Sequence, residues 1–98
     1  IVVATRSGLT ARQVARYRPR MPIVALTPDE AIRRRLSVVW GVTAVAVPWY
    51  GQGAVLLERF REPVRECGIA PHGAPVVVVG AWPFGVPGAT NLVHVTTA

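Results

Sequence analysis

The first nineteen residues, IVVATRSGLTARQVARYRP, decide the fold. Residues 1–4 are a short, continuous apolar run, the pattern of a strand buried on both faces of a parallel sheet. Thr10-Ala-Arg-Gln13 then reads as a capping box, with the Thr10 hydroxyl accepting from the Gln13 amide while the Gln13 side chain reaches back. A helix is expected to start there. Leu9 and Val14 stand at hydrophobic-staple positions, Ala11, Val14 and Ala15 form an apolar stripe, and Arg18-Pro19 closes the helix. The same order then recurs. Residues 23–26 form a second apolar run, and Thr27-Pro28-Asp29-Glu30 reads as a second capping box, with Pro28 at the first helical position and two acids against the helix's positive end. Ile32, Leu36 and Val39 share one face, and Gly41 supplies a left-handed exit.

Outward from this repeat, residues 42–47 are a third strand and residues 54–66 a less regular helix. Its apolar residues are Leu56, Leu57 and Phe60, and Pro63 is expected to kink or interrupt it. Residues 76–79, all valine, belong in the middle of the sheet. Between residues 80 and 91, Pro83, Gly85, Pro87 and Gly88 exclude a helix, and residues 92–97 are the last strand. A parallel pair needs a crossover connection, and none is available here, so the last strand returns antiparallel as a wide hairpin. The expected fold is α/β: three layers, a five-stranded, mostly parallel sheet with the last strand antiparallel, and helices on both faces. Residues 1–98 form a single domain, with no linker or low-complexity segment.

Composition narrows the function classes. The 98 residues are 51% hydrophobic and only 16% charged, which excludes a disordered tail. The long uncharged stretch at 38–50 is broken by Gly41, Thr43 and Pro48 and is too short for a membrane span. The opening Ile-Val-Val has no basic leader and no initiator Met, so the expectation is an excised or processed piece without a signal peptide. A single cysteine, Cys67, forms no internal disulfide and fits a reducing compartment. Eleven arginines and no lysine give a net charge of +6. That admits a nucleic-acid binder. Wholesale replacement of Lys by Arg reads more simply as a compositional habit, and arginines spread over three segments favour a solvated basic surface.

Two loops at the carboxyl ends of strands look specialised, because ligands of open α/β sheets collect there. The first is Thr5-Arg6-Ser7-Gly8-Leu9-Thr10, whose amides, hydroxyls and guanidinium suit a phosphate at a helix N-terminus. The alternative is that Ser7, Gly8 and Thr10 merely make the turn and cap the helix. Neither the P-loop nor the dinucleotide glycine pattern is present. The second loop is 80–91, where Trp82 and Phe84 stand among glycines and prolines. Trp82 reads equally as a packing residue or a stacking platform for a ligand. If the first and fourth strands are neighbours, both loops rim one crevice. His72, His94, Asp29 and Cys67 have no companions at ligand or nucleophile spacing, and Arg33-Arg34-Arg35 reads as a solvated helix face. No catalytic constellation exists, so this chain alone is not expected to be an enzyme.

Residues 1–19, Pro22 to Thr27 (PIVALT), Trp40-Gly41-Val42 with Val45 to Pro48, and the ending from Gly88 to Val95 together resemble the C-terminal domain of pyruvate kinase, in order and over the whole chain. The resemblance implies an α/β domain without catalytic residues. Phosphoryl transfer from phosphoenolpyruvate to ADP, with Mg and K, would belong to a separate barrel, and the protein would be cytoplasmic. It also implies a phosphorylated effector, a sugar phosphate or AMP, with its phosphate on Thr5, Arg6, Ser7, Gly8 and Thr10. The rest of the effector would lie near Trp82, Gly85 and Gly88. The expected partners are the catalytic barrel and further copies of the chain, with no membrane. Four departures stand out: the sequence begins after the place of the helix that normally precedes the first strand, 51–68 is short and carries Pro63, Gly73-Ala74-Pro75 replaces a common Gly-Asp pair, and Gly80-Ala-Trp-Pro83 replaces the usual order of that loop. Two alternatives are a stand-alone module for nucleotides or sugar phosphates and, more remotely, a basic nucleic-acid binder.

Overall fold

A computed structural model describes residues 1–48, 57–81 and 90–98. In chain order the elements are β1 (Val2–Ala4), α1 (Leu9–Ala15), β2 (Ile23–Thr27), α2 (Glu30–Leu36), β3 (Val42–Ala46), α3 (Arg61–Glu66), β4 (Pro75–Ala81) and β5 (Thr90–Thr97). The strands form one sheet in the order β3-β2-β1-β4-β5. β1 pairs in parallel with β2 and β4, β2 in parallel with β3, and β4 antiparallel with β5. β1 therefore lies at the centre, although valine-rich β4 was expected there. β4 is an interior strand between β1 and β5.

Strand alternation divides the core into two clusters. On one face Val2, Val24, Leu26, Val76 and Val78 pack against Phe60 and Val64. On the other, Val3, Ile23 and Ala25 pack against Ala11, Ala15 and Leu36. α1 and α2 thus cover one face and α3 the other, which gives the three layers. Every residue of β2 is buried, as a strand covered on both sides requires.

The third helix is interrupted where its proline dictates. Pro63 has no N–H to donate to the Arg59 carbonyl, and its ring crowds that group. Residues 57–59 are helical, Phe60 breaks the run, and α3 restarts at Arg61. Pro63 then falls in a first turn, where the missing donor costs little. Residues 54–56 of the expected helix lie outside the described residues.

Both expected capping boxes are displaced. α1 begins at Leu9 behind Gly8, which is left-handed (φ 85) and provides no side-chain cap, so Thr10 lies inside the first turn. α2 is capped by Asp29, whose Oδ1 accepts from the amides of Ala31 (2.8 Å) and Ile32 (3.3 Å). Thr27 is instead the last residue of β2, and its carbonyl accepts from Val47. Its hydroxyl accepts from the Asp29 amide at 3.3 Å, leaving Pro28 outside the helix. A carboxylate two residues downstream outcompetes a threonine already committed to the sheet. α2 ends at Leu36, and Gly41 (φ 76) turns the chain into β3 rather than terminating the helix. At the hairpin, β4 extends to Ala81 and β5 starts at Thr90, with a register irregularity at Gly80/Ala81, so the loop is shorter than the expected 80–91.

Candidate functional site

The chain visits β1, β2 and β3 in one direction across the sheet and then returns to the other side of β1 to lay down β4 and β5. The order reverses between β1 and β4, and the crevice beyond the carboxyl ends of these strands is where an open α/β sheet binds ligands. Their parallel register, Val2↔Val78 and Val3↔Val79, brings both carboxyl ends to the same edge. One rim is the loop from Thr5 to Gly8. The hairpin carrying Trp82, Gly85 and Gly88 leaves from the end of β4, but those residues lie outside the described residues, as does Phe84.

The Thr5 amide donates to the Leu26 carbonyl at 3.0 Å, extending the β1–β2 ladder by one residue and burying Thr5 at the base of the loop. Its Oγ1 accepts from the Gly8 amide at 2.9 Å, and Ser7 Oγ accepts from the Leu9 amide at 3.3 Å. These two hydroxyls thus do the capping that the sequence assigned to Thr10. Each hydroxyl that accepts from an amide retains its own proton to donate. Arg6 and Ser7 are exposed on the loop, Thr10 is half-buried, and Arg6 is the loop's only cation. An anion there would meet hydroxyls and a guanidinium, with the Gly8 and Leu9 amides already engaged by the loop itself.

Gly8 fixes where this rim sits. A Cβ at this position would lie 3.2 Å from Leu36 Cδ2 and 3.3 Å from Ile32 Cγ2, so the loop backbone is seated directly on α2. The close approach that Gly8 permits in this structure is to a neighbouring helix.

Other sequence candidates lie elsewhere. His94 is exposed on β5, and the His72 ring is 2.7 Å from the Arg65 guanidinium at the opposite edge of the sheet. Cys67 is half-buried beyond α3, its thiol donating to the Val64 carbonyl at 3.1 Å. Among the described residues no group of three or more His, Cys, Asp or Glu could hold a metal ion, and no helix is long and apolar enough to cross a membrane.

Sequence reasoning passed over the sheet face beside α1. Val93 and Val95 of β5 pair with Val79 and Val77 of β4 and stand 67% and 72% exposed. An open groove of about 350 Å³, lined by Ile1, Val14, Tyr17 and Val79 among others, adjoins this face. The alternation of Val93 and Val95 with His94 was the available signal.

The family described as "Pyruvate kinase, alpha/beta domain" matches residues 1–96. The chain belongs to this family. The pyruvate kinase of Geobacillus stearothermophilus is 40% identical over 95 residues, 97% of this chain and 16% of the relative. That of Clostridium acetobutylicum is 37% identical over 97% of the chain and 20% of the relative. A pyruvate kinase of Agrobacterium vitis is 38% identical over the whole chain and 21% of its own length. This pyruvate kinase alpha/beta domain thus spans about a fifth of the length of the relatives it matches.

Proposed function

We propose that the chain is the regulatory and assembly domain of a cytoplasmic pyruvate kinase, binding a phosphorylated effector in the β1–β4 crevice and performing no phosphoryl transfer itself. The observation that carries this reading is the coincidence of two independent features: a family match over residues 1–96, and a hydroxyl-rich loop with one guanidinium at the reversal of strand order. Thr5, Arg6, Ser7, Gly8 and Thr10 hold the phosphate, and the hairpin with Trp82, Gly85 and Gly88 receives the rest of a sugar phosphate or AMP. Mg and K, which the resemblance assigns to the parent reaction, would belong with the catalytic barrel. Regulation follows from the effector preferring one arrangement of the assembled protein, and it can shift the population only by that difference in affinity. The exposed β4–β5 face supplies apolar surface for assembly with further copies or with the barrel.

The test is calorimetric titration of the chain with AMP and with hexose phosphates, alongside Arg6→Ala. Saturable binding of one of them, weakened several-fold by Arg6→Ala with an unchanged melting curve, supports the site. Unchanged affinity in the variant, or no binding by the parent chain, refutes it. Turnover of phosphoenolpyruvate by these residues alone would refute the non-catalytic role.

A further inference from the structure

The net charge is not spread over the molecule. Residues 1–48 carry eight arginines against Asp29 and Glu30 and hold the whole net +6, whereas residues 49–98 carry three arginines and three glutamates and are neutral. The fold concentrates that excess further. α1 and α2 lie side by side on one face of the sheet, and each runs back from the carboxyl edge of the strands to the amino edge. Their C-terminal ends therefore share the edge opposite the crevice. Arg16 caps α1, Arg18 and Arg20 follow it, and Arg34 and Arg35 lie in the last turn of α2. All five are exposed. The C-terminal dipoles of two helices offer only about one negative elementary charge together, far less than five guanidiniums. Among the described residues the acidic group paired with any of the five is Glu30, 3.6 Å from Arg34 and already engaged by Arg33.

Aromatic rings stand within this edge. Tyr17 is 83% and Trp40 58% exposed. The Arg18 guanidinium lies 4.6 Å from the Trp40 ring centroid, and Arg18 holds a left-handed backbone (φ 49) that is costly for a residue with a Cβ. This contact ties the end of α1 to the turn after α2. It covers one face of the indole while the side chain stays more than half open to solvent.

We infer that the edge formed by Arg16, Arg18, Arg20, Arg34, Arg35 and Trp40 is a docking surface for a single-stranded polynucleotide, with the guanidiniums tracking phosphates and bases stacking on the indole and on Tyr17. Arginines gathered on one face of a domain with pI near 11.4 are the electrostatic footprint of such a partner. Aromatic platforms set among them provide the sequence-tolerant stacking that single strands use. An acidic polypeptide would use the charges but has no planar bases to stack on Trp40. A second copy of the chain would bring the same excess positive charge to the interface.

The test is fluorescence anisotropy of a labelled oligouridine of about twenty nucleotides with the whole chain. Five phosphate contacts predict that affinity falls about a hundredfold between roughly 50 and 200 mM salt. Trp40→Ala should weaken binding at least about fivefold, and Arg20→Glu with Arg35→Glu should abolish it. Arg59→Glu, the same charge change as either of these reversals made singly but away from this edge, should have no comparable effect. Trp40→Phe, which keeps a platform, should retain most of the affinity and guards against loss of folding in the alanine variant. No binding at low salt overturns the proposal. So does equal loss in Arg59→Glu, insensitivity to Trp40→Ala, or capture of polyglutamate or phosphatidylglycerol vesicles in preference to the oligonucleotide.

Discussion

Replacing Gly8 by alanine separates two costs that are usually confounded. A Cβ at φ 85 forces a side chain into the left-handed region, at about 1–2 kcal/mol. Loss of glycine's freedom in the unfolded chain returns about 0.4–1 kcal/mol of that. Gly41 (φ 76) and Gly73 (φ 84) would meet nothing within 4 Å and so carry only this balance, a net destabilisation of about 0.5–1 kcal/mol. At Gly8 the new methyl also meets Leu36 Cδ2 at 3.2 Å and Ile32 Cγ2 at 3.3 Å, and Leu36 is fully buried. Overpacking adds at least about 1 kcal/mol, for a total near 2 kcal/mol. In a chain of this length the difference between Gly8→Ala and Gly41→Ala is about 4–8 °C in melting temperature. Thermal unfolding of the three alanine variants, followed by far-ultraviolet dichroism, reads it directly. If Gly8→Ala is no worse than Gly41→Ala, the loop does not sit on α2 as described.

Further outcomes follow from individual side chains. Asp29→Ala should cost about 1 kcal/mol in urea unfolding by leaving the Ala31 and Ile32 amides without their cap, and Asp29→Ser should recover most of it. The Glu30 carboxyl lies below the usual carboxylate range, chiefly through its hydrogen bond to the Arg33 guanidinium; desolvation is the next largest effect and opposes this, and the charges of Arg33 and Arg34 add more weakly to the lowering. A depressed carboxyl contributes stability above its unfolded pKa and loses it as pH falls through the folded value. Glu30→Gln should therefore leave a shallower acid limb when unfolding midpoints are followed from neutral into acidic solution. Val95→Asp should reduce any self-association seen by sedimentation without lowering the melting temperature, because Val95 is 72% exposed.

The repeat of apolar run, turn and amphipathic helix made the parallel half of the sheet legible, because strand and helix periodicities differ too much to be confused. The antiparallel return of β5 was legible from a missing crossover. The centre of the sheet was not. Four consecutive valines in β4 suggested it, but the three-residue β1 occupies it, since hydrophobicity reports burial on two faces and any interior strand satisfies that. The caps were misplaced for a related reason. Thr10 and Thr27 fit a pattern with several possible alignments, and Thr5, Ser7 and Asp29 win because the strands end next to them. The position of the crevice was legible once β1 and β4 were taken as neighbours, whereas the engagement of the Gly8 and Leu9 amides by the loop's own hydroxyls was not. Nor was the basic edge: in sequence its arginines fall in separate segments, and only the return of both helices to one edge unites them.

The central position of β1 also bears on assembly of the fold in time. The shortest strand is made first, yet one of its two neighbours, β4, begins at Pro75. Until Pro75 and the residues after it have emerged, one margin of that strand lacks its β4 partner, and half of the valley above it has no wall. Such distant pairing slows folding and leaves apolar edges open in the interim. Chains arrested before Pro75 should therefore be held by chaperones or lost to proteolysis, and the crevice should appear only with the final hairpin.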